Sequence, residues 1–157
     1  EKVGTPAALG LRRKIAIANA KLAYQRFRET FHGDPFADLR GKGARIQRPL
    51  WGSTGTKNPA YSDVLYVEQL IGPDTINTLP PKTLAAFRDH GRVRETLTEN
   101  VAQAEADIAM LQKLDIDLDA ITRKLQDDGV AAFAASYDKL LAALKAKRQD
   151  IHANHAA

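Results

Sequence analysis

The chain has 157 residues and a 44% hydrophobic, 27% charged composition, enough for one soluble globular domain with a sizeable core. It contains no cysteine, which excludes disulfides and thiolate metal sites and fits a reducing, cytoplasmic setting. Its formal charge of +4 comes from 23 basic and 19 acidic side chains that are interspersed, and no apolar run approaches the roughly 18 residues that span a bilayer.

The first residue is Glu1 and the sole methionine is Met110. The opening lacks the basic-then-apolar pattern of a secretory signal. It reads as the continuation of an element begun upstream, so the chain is expected to be part of a longer protein. Gly4-Thr5-Pro6 forms a turn with Thr5 as N-cap and Pro6 at the first helical position. A long helix follows, on which Leu11, Ile15, Ala18 and Leu22 recur at helical spacing and Tyr24, Phe27 and Phe31 continue an adjoining stripe. Gly33 and Pro35 end it.

Gly41-Lys42-Gly43 breaks the pattern, and residues 45–51 read as a short strand that Pro49 bulges or terminates. A Gly/Ser/Thr loop spans 52–57. Asn58 as N-cap and Pro59 at the first helical position predict a helix to about Ile71, stopped by Gly72-Pro73. A second strand covers 75–79, and Pro80-Pro81 opens a helix that stops at Gly91. Strand, loop, helix, strand, helix over 45–91 is the rhythm of a β/α fold with parallel strands.

The remainder is helical. Val101, Ala104, Ile108 and Leu111 form one apolar stripe. Asp117 caps a short helix with Leu118, Ile121 and Leu125 that ends at Gly129, and a final helix presents Val130, Phe133, Tyr137, Leu140 and Leu144. These stripes read as packing faces. Residues 1–148 thus form the structured portion, and 149–157 a disordered tail.

The loop Ser53-Thr54-Gly55-Thr56-Lys57-Asn58-Pro59 is the place for chemistry. It lies between a strand's C-terminal end and the predicted helix, where free amides and the helix dipole attract anions. Gly52 and Gly55 allow close backbone approach, and the Ser, Thr and Lys side chains supply donors suited to phosphate oxygens. The spacing is not that of a nucleotide P-loop, so a phosphate monoester suits it better than ATP. On local features alone, a simple capping turn accounts for the same residues. Other candidates are weaker. His152 and His155 could share a helix face, His90 suits a helix C-terminus, and Asp115, Asp117, Asp119, Asp127 and Asp128 look like caps and helix ends. Asn77 and Thr78, closing the second strand, could face a pocket, with packing and capping as the default. The basic runs Arg12-Arg13-Lys14 and Lys145-Ala146-Lys147-Arg148 read as solvated helix surfaces. A non-catalytic helical interaction or nucleic-acid-binding module is the rival reading.

The run from Arg48 through Thr83, including Arg-Pro-Leu-Trp-Gly-Ser-Thr-Gly-Thr-Lys-Asn-Pro and Asp-Thr-Ile-Asn-Thr-Leu-Pro-Pro-Lys-Thr, closely resembles the bacterial transaldolases of the longer type. Residues 17–27, 117–126 and 129–133 are similar to the same family. The resemblance implies the C-terminal part of an α/β (β/α)8 TIM barrel, predominantly helical in this portion, with 45–51 and 75–79 as strands seven and eight. A complete barrel takes about 250 residues, so most of the sheet would lie upstream.

It implies transfer of a dihydroxyacetone unit between ketose and aldose phosphates through a lysine Schiff base. The reaction interconverts sedoheptulose 7-phosphate and glyceraldehyde 3-phosphate with erythrose 4-phosphate and fructose 6-phosphate in the pentose phosphate pathway. The family's lysine and its acid/base carboxylates stand on earlier strands, so no residue of this chain is expected to be catalytic. Ser53 and Lys57 match the family's phosphate-binding serine and basic residue, with Thr54 and Asn58 as neighbours. Many relatives carry arginine in that basic role, and lysine holds phosphate without the bidentate fork.

Sugar phosphates are the implied ligands, with no metal or organic cofactor, no nucleic acid and no membrane. Some longer transaldolases are fused to a glucose-6-phosphate isomerase domain, of which this chain shows nothing. Exposed strand edges and an uncovered apolar face imply self-association or contact with the missing N-terminal part.

Overall fold

Thr5 does cap the first helix: its Oγ1 accepts from the Ala8 amide at 3.3 Å, and Pro6 opens α1, Pro6–Gly10. The computed structural model describes residues 3–155, with side chains through residue 152. The long helix expected from Thr5 to Phe31 is divided. Gly10 is a poor helix former, and Arg13 adopts a left-handed conformation (φ 60°), which interrupts the hydrogen-bond ladder. Its guanidinium stands over the Tyr61 ring, 5.7 Å from the centroid.

Helix α2, Ile15–Phe31, buries Ala18, Lys21, Tyr24 and Phe27 at helical spacing and packs along α6, Val101–Lys113, which buries Ala104, Asp107 and Leu111. Beyond α2 come a 3₁₀ turn, Asp34–Phe36, and α3, Ala37–Gly41. The core gathers Tyr24, Phe27, Leu70 and Leu97, with Ile17, Ala20, Phe31, Ile46 and Trp51 around it. Leu97 is 0% exposed and presses on Gly72, where a Cβ would stand only 2.8 Å from Leu97 Cδ1. Lys21 shares this packed face. Its Nζ donates to the Glu99 carbonyl at 2.8 Å, and burial holds its pKa below the usual lysine range against the pull of the Glu99 carboxylate. Glu99 in turn pairs with Arg94.

Two short strands, β1 (Leu50–Trp51) and β2 (Ile76–Asn77), pair in parallel with Leu50 opposite Ile76 and Trp51 opposite Asn77. Ile76 N donates to Pro49 O at 2.9 Å and Thr78 N to Trp51 O at 3.0 Å. Both strands are shorter than the 45–51 and 75–79 expected. Pro49 can accept but not donate, so the ladder ends there. Leu50 and Ile76, opposite one another, are both exposed.

The helix expected from Asn58 to Ile71 is only α4, Leu65–Gln69. Asn58 Oδ1 accepts from the Ala60 amide at 3.0 Å and Ser62 Oγ from the Val64 amide at 3.4 Å. These side chains compete for local amides and hold 58–64 in turns. Helix α5, Pro81–His90, starts and stops where the proline pair and Gly91 place it. At its last turn His90 is held by two carboxylates: Nε2 meets Asp63 Oδ1 at 2.9 Å, and Nδ1 meets Asp89 Oδ2 at 3.0 Å. Both contacts favour the imidazolium. The bond to Asp63 first, and that to Asp89 second, raise the His90 pKa, while His90 lowers that of Asp63.

The chain divides at Leu114 into two compact units. The second contains α7, Leu118–His155, a single 38-residue helix where two were expected. Asp117 Oδ1 does cap it, accepting from Ala120 N at 2.9 Å. Gly129 does not end it. A glycine inside a helix costs about 1 kcal/mol relative to alanine, which the alanine-rich stretch after it and the Lys124–Asp128 pair at 2.8 Å help to offset. The helix continues past residue 148 through His155; residues 156–157 lie outside the described residues. On α7, Phe133 is 82% exposed, and Tyr137, Leu140 and Leu144 are exposed with it.

Two outcomes follow from this packing. Leu97→Ala should lower unfolding free energy by roughly 2–5 kcal/mol in urea titration, and a loss below about 1 kcal/mol would remove Leu97 from the centre of the core. The stabilising effect of the His90 tie should be full between the ordinary values of Asp63 (3.8) and His90 (6.5). It should fade as pH rises through the raised His90 value and as pH falls through the lowered Asp63 value. The gap in melting temperature between the parent and His90→Gln should therefore be wider near about pH 5.5 than about pH 9; a gap that does not change with pH would contradict this.

Candidate functional site

The end of β1 runs into the polar loop, and the end of β2 holds it. Because Trp51 lies opposite Asn77, the residues that follow each strand stand side by side. Thr78 Oγ1 accepts from the Ser53 amide at 2.8 Å and donates to the Trp51 carbonyl at 3.2 Å. Thr54, buried, donates from Oγ1 to Asn77 Oδ1 at 2.7 Å. Gly55 passes under the start of α5, where a Cβ would stand 3.0 Å from Pro80 Cγ and 3.1 Å from Thr83 Oγ1. Ser53 itself is in the left-handed region at φ 51°, which is uncommon for a residue with a Cβ.

The structure therefore joins Ser53 and Thr54 to Asn77 and Thr78, while Lys57 and Asn58 lie further along the loop and are exposed. Among the described residues Lys57 makes no ion pair or hydrogen bond. The Ser53 hydroxyl is similarly unengaged. Among the described residues no acceptor meets the amides of Thr54, Gly55, Thr56 or Lys57, so this stretch retains a row of backbone donors. The Thr56 hydroxyl and the Trp51 indole N–H are buried without hydrogen-bond partners among the described residues.

Two of the expected donors are committed elsewhere. The Ser53 amide belongs to Thr78, and the Thr54 hydroxyl proton points to Asn77. The expected helix dipole is missing too, since the next helix begins only at Leu65 and has five residues. The donors that remain on the loop are the Lys57 ammonium, the Ser53 hydroxyl and the backbone amides of 54–57. Beside the loop lies a cavity of about 300 Å³, with Trp51, Ser53, Thr54, Tyr66 and Leu70 among its walls.

The other candidates do not assemble into chemistry. His90 is tied to two aspartates, Asp117 caps α7, and Asp128 pairs with Lys124. His152 is exposed on α7, and the side chain of His155 lies outside the described residues. Among the described residues no group of three or more His, Asp or Glu side chains could hold a metal ion. None of their helices is long and apolar enough to cross a membrane.

The family model described as Transaldolase/Fructose-6-phosphate aldolase matches residues 4–144. The transaldolase of Thiobacillus denitrificans is 55% identical over 140 residues, covering 89% of this chain and 39% of that protein. Transaldolase 1 of Streptomyces coelicolor is 50% identical over 143 residues, covering 90% of this chain and 38% of that protein. The transaldolase of Mycolicibacterium smegmatis is 48% identical over 142 residues, with the same two coverages of 90% and 38%. The chain thus spans less than two fifths of the length of these relatives.

Proposed function

The chain belongs to the transaldolase/fructose-6-phosphate aldolase family, and from that membership we propose that it is the phosphate-binding part of a transaldolase. The observation that carries the reading is the loop after β1. Among the described residues, one loop that leaves the C-terminal end of a parallel strand, where ligands of β/α folds bind, carries a hydroxyl at Ser53, amides without acceptors at 54–57 and, further along, an ammonium at Lys57 without an ion-pair partner. Ser53 Oγ and Lys57 Nζ bind the phosphate of a sugar phosphate, with Thr54 and Asn58 beside them. Lys57 contributes a point charge and Ser53 a directed donor.

In this reading β1 and β2 are strands seven and eight of a (β/α)8 barrel completed by sequence outside this chain. A lysine on that other part attacks the ketone of a ketose phosphate to form a Schiff base. The iminium accepts the electrons of the broken carbon–carbon bond as one aldose phosphate leaves, and the dihydroxyacetone unit left on the lysine adds to a second aldose phosphate before water hydrolyses the product imine. Holding the phosphate fixes the sugar's far end, which converts binding energy into alignment of the reacting carbons. The site is the cytoplasmic, pentose phosphate pathway enzyme's, and it needs no metal. The exposed faces of Leu50 and Ile76 and the bare stripe of α7 are covered by the rest of the polypeptide or, in its absence, by a second copy.

In a transaldolase polypeptide carrying this segment, Ser53→Ala and Lys57→Ala should each raise KM for fructose 6-phosphate about tenfold, more than they lower kcat. Lys57→Arg should retain most of the affinity. Steady-state kinetics showing KM unmoved by both alanine variants would overturn the assignment of the loop. The 157-residue chain by itself should show no transaldolase turnover and should self-associate with rising concentration in sedimentation velocity. Activity from the purified chain would place the nucleophile within it, and a monodisperse monomer would mean that the bare faces need no cover.

A further inference from the structure

Ser53 is the loop's directed donor, yet its own backbone is in an unfavourable place. A left-handed φ of 51° on a residue with a Cβ persists only where the surroundings hold it. At Gly52, next to it, nothing lies within 4 Å of where a Cβ would stand, so the turn has open space on that side. One side chain spans this stretch. Thr78 Oγ1 takes the Ser53 amide at 2.8 Å and gives its own proton to the Trp51 carbonyl at 3.2 Å, so a single hydroxyl brackets Gly52 from both sides. The parallel register makes this reachable. With Trp51 opposite Asn77, Thr78 emerges beside Gly52, and its amide is already fixed on Trp51 O at 3.0 Å.

We propose that Thr78 is a positioning residue for the phosphate site: its hydroxyl clamps the Trp51–Ser53 turn in the left-handed shape that presents the Ser53 side chain to the substrate's phosphate. This rests on the reading of the loop given above. Thr78 touches no substrate in this scheme and acts through Ser53 alone. Asn77 gives a parallel anchor one residue on, through Thr54, and that second bond keeps the rest of the loop in place when the Thr78 clamp is removed. The exposure of Thr78 means that its loss leaves no cavity in the core.

The test is a double-mutant cycle in a transaldolase polypeptide carrying this segment, with KM and kcat measured on fructose 6-phosphate and melting temperature followed in parallel. Thr78→Val, which keeps the shape and deletes the hydroxyl, should raise KM about fivefold to tenfold, a larger effect than on kcat. Thr78→Ser should restore the parent KM. In the Ser53→Ala background Thr78→Val should add nothing further, because the group that it positions is gone. If the valine variant does not fold, Thr78→Ala makes the same deletion. The proposal is overturned if Ser53→Ala raises KM while Thr78→Val does not, or if the two effects multiply independently. A Ser53→Ala variant with unchanged KM would instead sink the phosphate reading itself, and the role of Thr78 with it.

Discussion

Two backbone hydrogen bonds, Ile76 N to Pro49 O and Thr78 N to Trp51 O, set the geometry on which the site depends. They join residues 27 positions apart in a parallel pair, and parallel pairing fixes which residues emerge together at the strand ends. A slip by one residue would move Asn77 and Thr78 away from Thr54 and Ser53 and turn their side chains to the opposite face. The core supports the same register from behind. Trp51 packs against the cluster of Tyr24, Phe27, Leu70 and Leu97, so β1 is fixed on one side by its neighbour strand and on the other by α2.

How much of this was legible in the sequence depended on the range of the signal. Helix α5 was readable at both ends because a proline pair and a glycine act on the residues next to them. The capping roles of Thr5 and Asp117 were readable for the same reason. The Asn58-Pro59 pair misled, since an asparagine followed by proline starts a helix and an Asx turn alike; the choice fell to Ser62 and to the packing of Val64 and Val67. Gly129 misled in the other direction, because a glycine's modest penalty does not stop a helix that alanines favour on the far side.

The loop was legible in its location and not in its wiring. The loop, its hydroxyls and its lysine could be found from Gly, Ser, Thr and Lys clustered after a strand. That Thr78 consumes the Ser53 amide, and that Asn77 takes the Thr54 proton, depends on contacts across 25 and 23 positions. The useful hint was there: two parallel strands each followed at once by hydroxyl or amide side chains. Lys21 was hidden by its charge. It lies three residues from Ala18 and from Tyr24, on the buried stripe by helical period, yet a lysine is ordinarily assigned to solvent.

The passage of Gly55 under Pro80 and Thr83 ties the loop's freedom to vary to the entry of α5. A side chain at position 55 would need the Pro80 ring or the buried Thr83 to give way by a few tenths of an ångström. The tightness couples the three positions: a larger residue at 55 is accommodated more easily beside a smaller one at 83 or without the proline at 80. Covariation of that trio across sequences would record the close approach of loop and helix as a historical constraint.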